Sequence, residues 1–350
     1  MIRSDFIQIL EAAIQADASD VHLVAYHPPI FRIHGELIPD HSDPLEPLEM
    51  QRLLYSILTD KQKATFEETW EVEFSYFVSK DFHYRVNIHR EKGHAAATVR
   101  IMPTQIRTTL ELGLPPSVVQ LARKRNGLIM VTGTAGSGKT TSLTAMVNII
   151  NNERKCKIIT IEDPIEYVYK SNKSLIIQRE VGSDTLSFTN ALKFALRQDP
   201  DVVVIGEIRD LESISMALTT AETGHLVLTT LHAASAVESI NRIIDVYPAG
   251  KQEQIRVQLA DCLLAVIGQN LLPRREMLGR VLTCEILVGT LSVRNMIRRG
   301  ALSEIRGHME AGADEGMQTL EQSLSALVHE GLVTKETALK YARHSKLLQC

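Results

Sequence analysis

The chain has 350 residues, 44% of them hydrophobic and 23% charged, with a formal net charge of −4. That length exceeds the roughly 250–300 residues at which a single core stops growing, so two domains are expected, in a chain of ordinary soluble composition. The acidic balance gives no global attraction to nucleic acid or anionic lipid, although local basic patches are compatible with it, and no apolar run approaches the roughly 18 residues of a membrane span.

The N-terminus, Met1-Ile2-Arg3-Ser4-Asp5-Phe6, carries an early acid before a helical pattern, which is not the plan of a secretory signal; a cytosolic location is expected. A helix near Phe6–Ala16 leads to the alternating strand Ser19–Leu23, and Phe31–Leu37 alternates again with Gly35 where a hairpin would bend. Two helical stretches around Pro47–Phe66 precede three further alternating runs, Glu71–Val78, His83–His89 and Ala96–Met102. Helices with antiparallel strands predict a small α+β domain over residues 1–103. Pro103 and Pro115-Pro116 bracket a connection, residues 104–117, because the residue before a proline is pushed out of the helical region.

From residue 118 the pattern changes. Leu128–Thr132, Ile158–Ile161, Val202–Ile205 and Leu226–Thr230 are short, continuous apolar runs separated by helical stretches, as expected for a doubly wound α/β domain whose parallel strands are covered on both faces. Beyond about residue 250 helical spacing dominates, with Leu259, Leu263, Val266 and Ile267 on one stripe, and a helical C-terminal part is expected from about residue 270. The strand Arg280–Val288 interrupts it before helices near Met317–His329 and Lys335–His344. Cys156, Cys262, Cys284 and Cys350 form no C-x-x-C pair, which argues against a disulfide framework and a zinc ribbon; the first three read as core residues and the last as a loose tail.

The chemistry concentrates in the second domain. Gly133-Thr134-Ala135-Gly136-Ser137-Gly138-Lys139-Thr140 matches G-x-x-x-x-G-K-[ST] between an apolar strand and a helix that opens at Thr141, the context a P-loop requires. Glycines let backbone N–H groups close around phosphate oxygens, and the helix N-terminus adds its positive end. Lys139 is expected on the β- and γ-phosphates of ATP and the Thr140 hydroxyl on Mg²⁺. Phosphoryl transfer also needs carboxylates. Val202–Gly206 is a buried strand that ends in Glu207, where a Walker B acid belongs, and Ile158–Ile161 delivers Glu162, Asp163 and Glu166 from a neighbouring strand end. Acids in such places also serve as helix caps or solvated loop residues.

His225 and His232 bracket the strand Leu226–Leu231 without a third ligand at zinc spacing, which leaves a phosphate- or acid-bonded histidine that senses the nucleotide beside a plain surface histidine. Arg85 and Arg100, on the last two strands of the first domain, are candidates to pair with phosphate or else solvated strand arginines.

Together these stretches resemble the secretion-type hexameric ATPases nearly end to end, from Ala18-Ser19-Asp20-Val21-His22-Leu23 to Gly316-Met317-Gln318-Thr319-Leu320. The blocks that carry the resemblance are Thr160–Glu166, the acidic box; Asp199 through Asp210, the Walker B block; and Ala221–His225 through Leu231-His232, the histidine box. Ser292-Val293-Arg294-Asn295-Met296-Ile297-Arg298 is similar to the A-I-R-N-L-I-R motif of the pilus retraction motors, with conservative departures at Ser292, Val293 and Met296. The sequence shows neither the further N-terminal domain nor the tetracysteine zinc element usual in assembly motors, which favours the retraction branch.

The resemblance implies a PAS-like first domain, a RecA-like second domain over 118–350 and a homohexameric ring that uses ATP and Mg²⁺. It further implies peripheral association with the cytoplasmic face of the inner membrane, partnership with the pilus platform protein and other pilus ATPases, and no nucleic acid. By position Glu166 matches the family's catalytic glutamate and Glu207 the acid near magnesium, with Glu162 and Asp163 supporting the box. Arg85, in Tyr84-Arg85-Val86-Asn87, and Arg100 match arginines that approach the γ-phosphate. The loop reads Thr134-Ala135 where many relatives have Pro-Thr, and Thr140 and Thr141 follow the lysine where many begin with Ser; neither change removes an amide cradle or a hydroxyl ligand. The rivals are an assembly or secretion motor of the same superfamily, a RecA-like nucleic-acid motor and an ATP switch that forms no ring.

Overall fold

The computed structural model describes residues 2–78, 83–102, 105–276 and 279–348, with side chains from residue 5 onward; Pro103 and Cys350, singled out above, lie outside them. By residue contacts the chain divides into two compact units, Met1–Gln105 with Pro164–Val168, and Ile106–Asp163 with Tyr169–Cys350.

In the first unit α1 (Ile2–Gln15), β1 (Ala18–Leu23), β2 (Ile30–Ile33) and β3 (Glu36–Pro39) are followed by α2 (Pro47–Tyr55), α3 (Asp60–Thr69), β4 (Glu71–Phe77), β5 (His83–Glu91) and β6 (His94–Ile101). Among the described residues the strands form one antiparallel sheet in the order β3-β2-β1-β6-β5-β4. The β2–β3 turn places His34 and Gly35 at positive φ, where a glycine is needed for the bend. Thr59 caps α3 reciprocally with Gln62, which satisfies two of the free N–H groups of that helix start.

Strand alternation then separates the two faces of the sheet. Val21, Leu23, Val86, Ile88 and Val99 join Phe6, Leu10, Met50, Leu54 and Phe66 of the helices in one core. The other face carries a polar row across four strands, in which Ser75 lies opposite Arg85, Arg85 opposite Arg100 and Arg100 opposite Asp20.

The second unit begins with α4 (Pro116–Ala122), β7 (Gly127–Thr132), α5 (Lys139–Glu153), β8 (Lys157–Glu162), β9 (Leu175–Glu180) and α6 (Phe188–Ala195). It continues through β10 (Val202–Ile205), α7 (Leu211–Glu222), β11 (Leu226–Leu231), α8 (Ala236–Asp245), α9 (Ala249–Cys262), β12 (Leu263–Pro273) and β13 (Arg280–Val288). The last helices are α10 (Leu291–Arg299), α11 (Ile305–Ala311), α12 (Leu320–His329) and α13 (Lys335–Tyr341).

The sheet order is β13-β12-β7-β11-β10-β8-β9, parallel throughout except for the antiparallel edge pair β12–β13. Both faces are covered. Met130, Ile159, Val203 and Val227 pack toward α7–α9, and Ile129, Val131, Ile158 and Val204 toward α4 and α5.

The structure corrects one element. Leu263, Val266 and Ile267 lie on β12 and not on a helical stripe, and helix resumes only at Leu291. A strand buried between β7 and β13 is apolar on both faces, so its sequence loses the alternation that separates it from a buried helix. The edge strand β9 also escaped the sequence reading, since Leu175-Ile176-Ile177 is too short a run to declare itself.

Two glycines report opposite demands of this packing. The N–H of Gly289 donates to the Leu264 carbonyl at 2.7 Å, and a Cβ there would meet the Leu263 carbonyl oxygen at 2.1 Å. Gly307 sits inside α11 with nothing within 4 Å of an added Cβ. We therefore expect Gly289→Ala to cost about 1–3 kcal/mol through overpacking, and Gly307→Ala to add about 0.5–1 kcal/mol through helix propensity. Chemical denaturation of the two variants checks both signs.

Candidate functional site

Parallel strands carry all their carboxyl ends to one edge, and that edge is where the P-loop, Glu162 and Glu207 meet. The loop leaves β7 with Gly133 at φ 151°, Gly136 at 73° and Gly138 at 86°, backbone states that L side chains rarely adopt. Gly138 is the N-cap of α5, so the loop's amides run directly into the free N–H groups of a helix start. Gly133 has no room for a side chain, because a Cβ would lie 2.5 Å from the Gln269 carbonyl oxygen.

Lys139 is buried, and its ammonium must therefore be bonded. Its Nζ donates to the carbonyls of Gly133 at 3.1 Å and Thr134 at 3.0 Å, and lies 3.5 Å from Nδ1 of His232. The other ring nitrogen, Nε2, stands 3.3 Å from Oε1 of Glu207. An ammonium can only donate, so a hydrogen bond across that gap uses Nδ1 as its acceptor, with Nε2 turned toward the acid: the imidazole stands between the P-loop lysine and the acid after β10. Glu207 also takes a 2.7 Å bond from Arg209 Nη2, and that carboxylate raises the guanidinium above its ordinary pKa.

Thr132 fixes the bridge from below. Its Oγ1 stands 3.0 Å from the carbonyls of Leu231 and Ala233 and accepts the Ala233 N–H at 3.1 Å, which ties the end of β7 to the loop that bears His232. Thr140 and Thr141 follow in the first turn of α5.

The remaining sequence candidates separate. Glu162 is buried, and its Oε1 accepts from Thr160 Oγ1 at 2.7 Å and Gln178 Nε2 at 3.1 Å, which marks it as an ordered member of the edge; Asp163 is exposed. Glu166 lies in Pro164–Val168 and groups with the first unit, as Arg85 and Arg100 do. There Arg85 Nε is bonded to Glu73, and Arg100 Nε donates to Asp20 Oδ1 at 2.9 Å. Burial pushes the Asp20 carboxyl up, but the hydrogen bonds from Ser19 and Arg100 outweigh it and hold the group below its ordinary value.

His225 is a correction. It precedes β11 at the amino edge, where its carbonyl accepts the Gly127 N–H and its Nδ1 lies 3.1 Å from the Thr220 carbonyl. The six residues of β11 at about 3.3 Å each put it about 20 Å from its own chain's P-loop, so it does not belong to this nucleotide site.

Gln269 belongs to no sequence motif, yet it meets the P-loop. It is buried on β12, and its Nε2 donates to the Ser137 carbonyl at 2.8 Å, bracing the P-loop from a strand 132 residues away. A glutamine amid the apolar run Leu263–Leu272 was the available signal, since a buried amide needs a partner. Arg280 on β13 adds a second brace, Nη1 to the Gly136 carbonyl at 3.3 Å.

The chain is similar to known proteins along most of its length. The family model described as type II/IV secretion system protein matches residues 1–286. The chain is 42% identical over 339 residues, 97% of its length and 98% of the other, to the type IV pilus retractation ATPase PilT of Pseudomonas aeruginosa. It is 42% identical over 323 residues, 92% of its length and 86% of the other, to a twitching motility protein of Neisseria gonorrhoeae. Among solved structures, the pilus retraction motor PilT with bound ADP superposes with a TM-score of 0.92 at 42% identity, covering 98% of each chain.

Removing the amide of Gln269 frees the Ser137 carbonyl and leaves a hole beside Gly138. Gln269→Ala is expected to weaken ADP binding about tenfold, the cost of one buried brace of roughly 1–2 kcal/mol. Titration with a fluorescent ADP analogue checks this; unchanged affinity would show the brace to be idle.

Proposed function

The chain belongs to the type II/IV secretion system protein family, and on that premise we propose that it is an ATP hydrolase whose turnover drives retraction of type IV pili and hence twitching motility. The observation that carries the reading is the Lys139–His232–Glu207 chain at the carboxyl edge of the sheet, in a protein that matches retraction motors along nearly its whole length.

In this reading the amides of Gly133–Thr140 cradle the phosphates, and the Lys139 ammonium exchanges the carbonyls of Gly133 and Thr134 for β- and γ-phosphate oxygens. Thr140 and Glu207 are the residues that would hold Mg²⁺, which would supply positive charge to neutralise the phosphate oxygens. The donor set fits that ion, since a hydroxyl and one acid leave the other positions to phosphate and water, as magnesium prefers.

Glu166 orients the attacking water and takes up its proton as the water oxygen bonds to the γ-phosphorus and the bond to the β-phosphate oxygen breaks, releasing ADP and phosphate. Arg85 and Arg100 give up Glu73 and Asp20 to bind the γ-phosphate, and His232 registers its presence through Lys139 and Glu207. The working form is a homohexamer associated peripherally with the cytoplasmic face of the inner membrane, where it acts on the pilus platform protein beside other pilus ATPases. Among the described residues no helix is long and apolar enough to cross a membrane.

Two outcomes test the proposal. Glu166→Gln should lower ATP turnover at least about a hundredfold while ADP affinity stays within twofold, because the amide keeps the shape but cannot take up the water's proton. Deletion of the gene should leave cells with more surface pili and no twitching; loss of pili would assign the chain to assembly instead.

A further inference from the structure

Arg343 stands two residues beyond the end of α13, in the C-terminal segment, yet its side chain reaches the loop that carries His232. Its Nη2 is bonded to the Ala234 carbonyl, and its Nη1 donates to Glu285 Oε2 at 2.8 Å. Glu285, buried on β13, uses its other oxygen to accept the Ala236 N–H at 2.6 Å, which fixes the first turn of α8. Arg343 and Glu285 thus grip the same short stretch from two directions, two residues and four residues after His232.

The grip is built rather than incidental. Room for the Glu285 carboxylate exists only because its cross-strand partner on β12 is Gly268, where a Cβ would lie 2.8 Å from Oε1. The C-terminal segment is itself anchored by a second buried acid: Glu321 Oε1 accepts the N–H groups of Arg343 at 3.1 Å and His344 at 2.9 Å, while its Oε2 takes Arg306 Nη2 at 3.1 Å. Arg242 holds the loop from the other side through the His232 carbonyl.

We infer that Arg343 is a positioning residue for ATP turnover, which sets the His232 loop against Lys139 and Glu207 so that docking of the C-terminal segment is felt at the nucleotide site. The inference rests on the ATPase reading above. His232 spans 3.5 Å to Lys139 and 3.3 Å to Glu207, bonds near the limit of useful length, so a displacement of its loop by a fraction of an ångström breaks one or both. In that reading nucleotide affinity comes from the P-loop amides and Lys139, which a shift of the His232 loop leaves in place, and this separates binding from turnover.

The experiment compares wild type, Arg343→Ala, Arg343→Lys and Glu285→Gln, each alone and with His232→Ala, in the full-length protein. ATP turnover and affinity for an ADP analogue are measured, with thermal melts as a control. For Arg343→Ala we expect kcat about tenfold lower, with KM and ADP affinity within about twofold, as for a catalytic group moved slightly out of place. Arg343→Lys keeps the charge for Glu285 but cannot fork to Ala234, and should fall between the two.

In the His232→Ala background the same substitutions should change kcat by less than about twofold, since two residues that act as one unit do not add. Wild-type kcat in Arg343→Ala, or losses that multiply with His232→Ala, would overturn the inference. If Arg343→Ala melts below the assay temperature, Glu285→Gln carries the same test with the same two outcomes. A wild-type protein without ATP turnover would overturn the functional reading itself, and this inference with it.

Discussion

A buried ammonium is the constraint around which the second unit is organised. Taking the Lys139 charge out of water costs several kcal/mol unless acceptors replace the water, and the chain supplies them from its own loop carbonyls and from an imidazole brought by a strand 93 residues further on. For those groups to converge, β7 and β11 must be parallel neighbours that end together, which they do with Thr132 opposite Leu231. The antiparallel edge pair β12–β13 then serves the same centre from the other flank, because Gln269 and Arg280 bond P-loop carbonyls that would otherwise be free to turn. The apolar core of the sheet and the polar edge are thus two results of one strand order.

The polar face of the first unit follows a related logic on an antiparallel sheet. Arg85 and Arg100 are cross-strand neighbours, an arrangement of like charges that costs energy unless carboxylates intervene, and Glu73 and Asp20 do so. Each guanidinium is therefore already paired with a carboxylate through its Nε. A phosphate can also meet a guanidinium through two oxygens, so an anion that reached these arginines would have to displace Glu73 and Asp20.

Sequence reading succeeded where a residue's chemistry and its local pattern agree. The P-loop glycines have to be glycines, the strand before them is a pure apolar run, and Glu207 closes another such run; all three features are local and survive without any knowledge of pairing. It failed where the deciding fact is a distant partner. Leu263–Pro273 has the composition of either element, and only its place between β7 and β13 makes it a strand. His225 and His232 look equivalent along the chain, six residues of strand apart, but a strand has two ends and only one reaches the nucleotide edge. Gln269 and Arg343 act on residues 132 and 109 positions away, and no spacing rule points to either.

The placement of β12 in the sheet also governs the order in which the protein can mature on the ribosome. The phosphate-binding loop is synthesised before residue 141, but the strand that flanks β7 on its outer side, and that carries the brace Gln269, starts only at Leu263, and the chain grows at only about 5–20 residues per second. For several seconds the nascent loop exists without the strand that shapes it, while the first unit's antiparallel sheet, complete by Ile101, can already form. Even that unit lacks Pro164–Val168 until later. The braced form of the loop is thus available only late in translation, and a truncated product that ends before β12 would carry the full binding motif without the Gln269 brace.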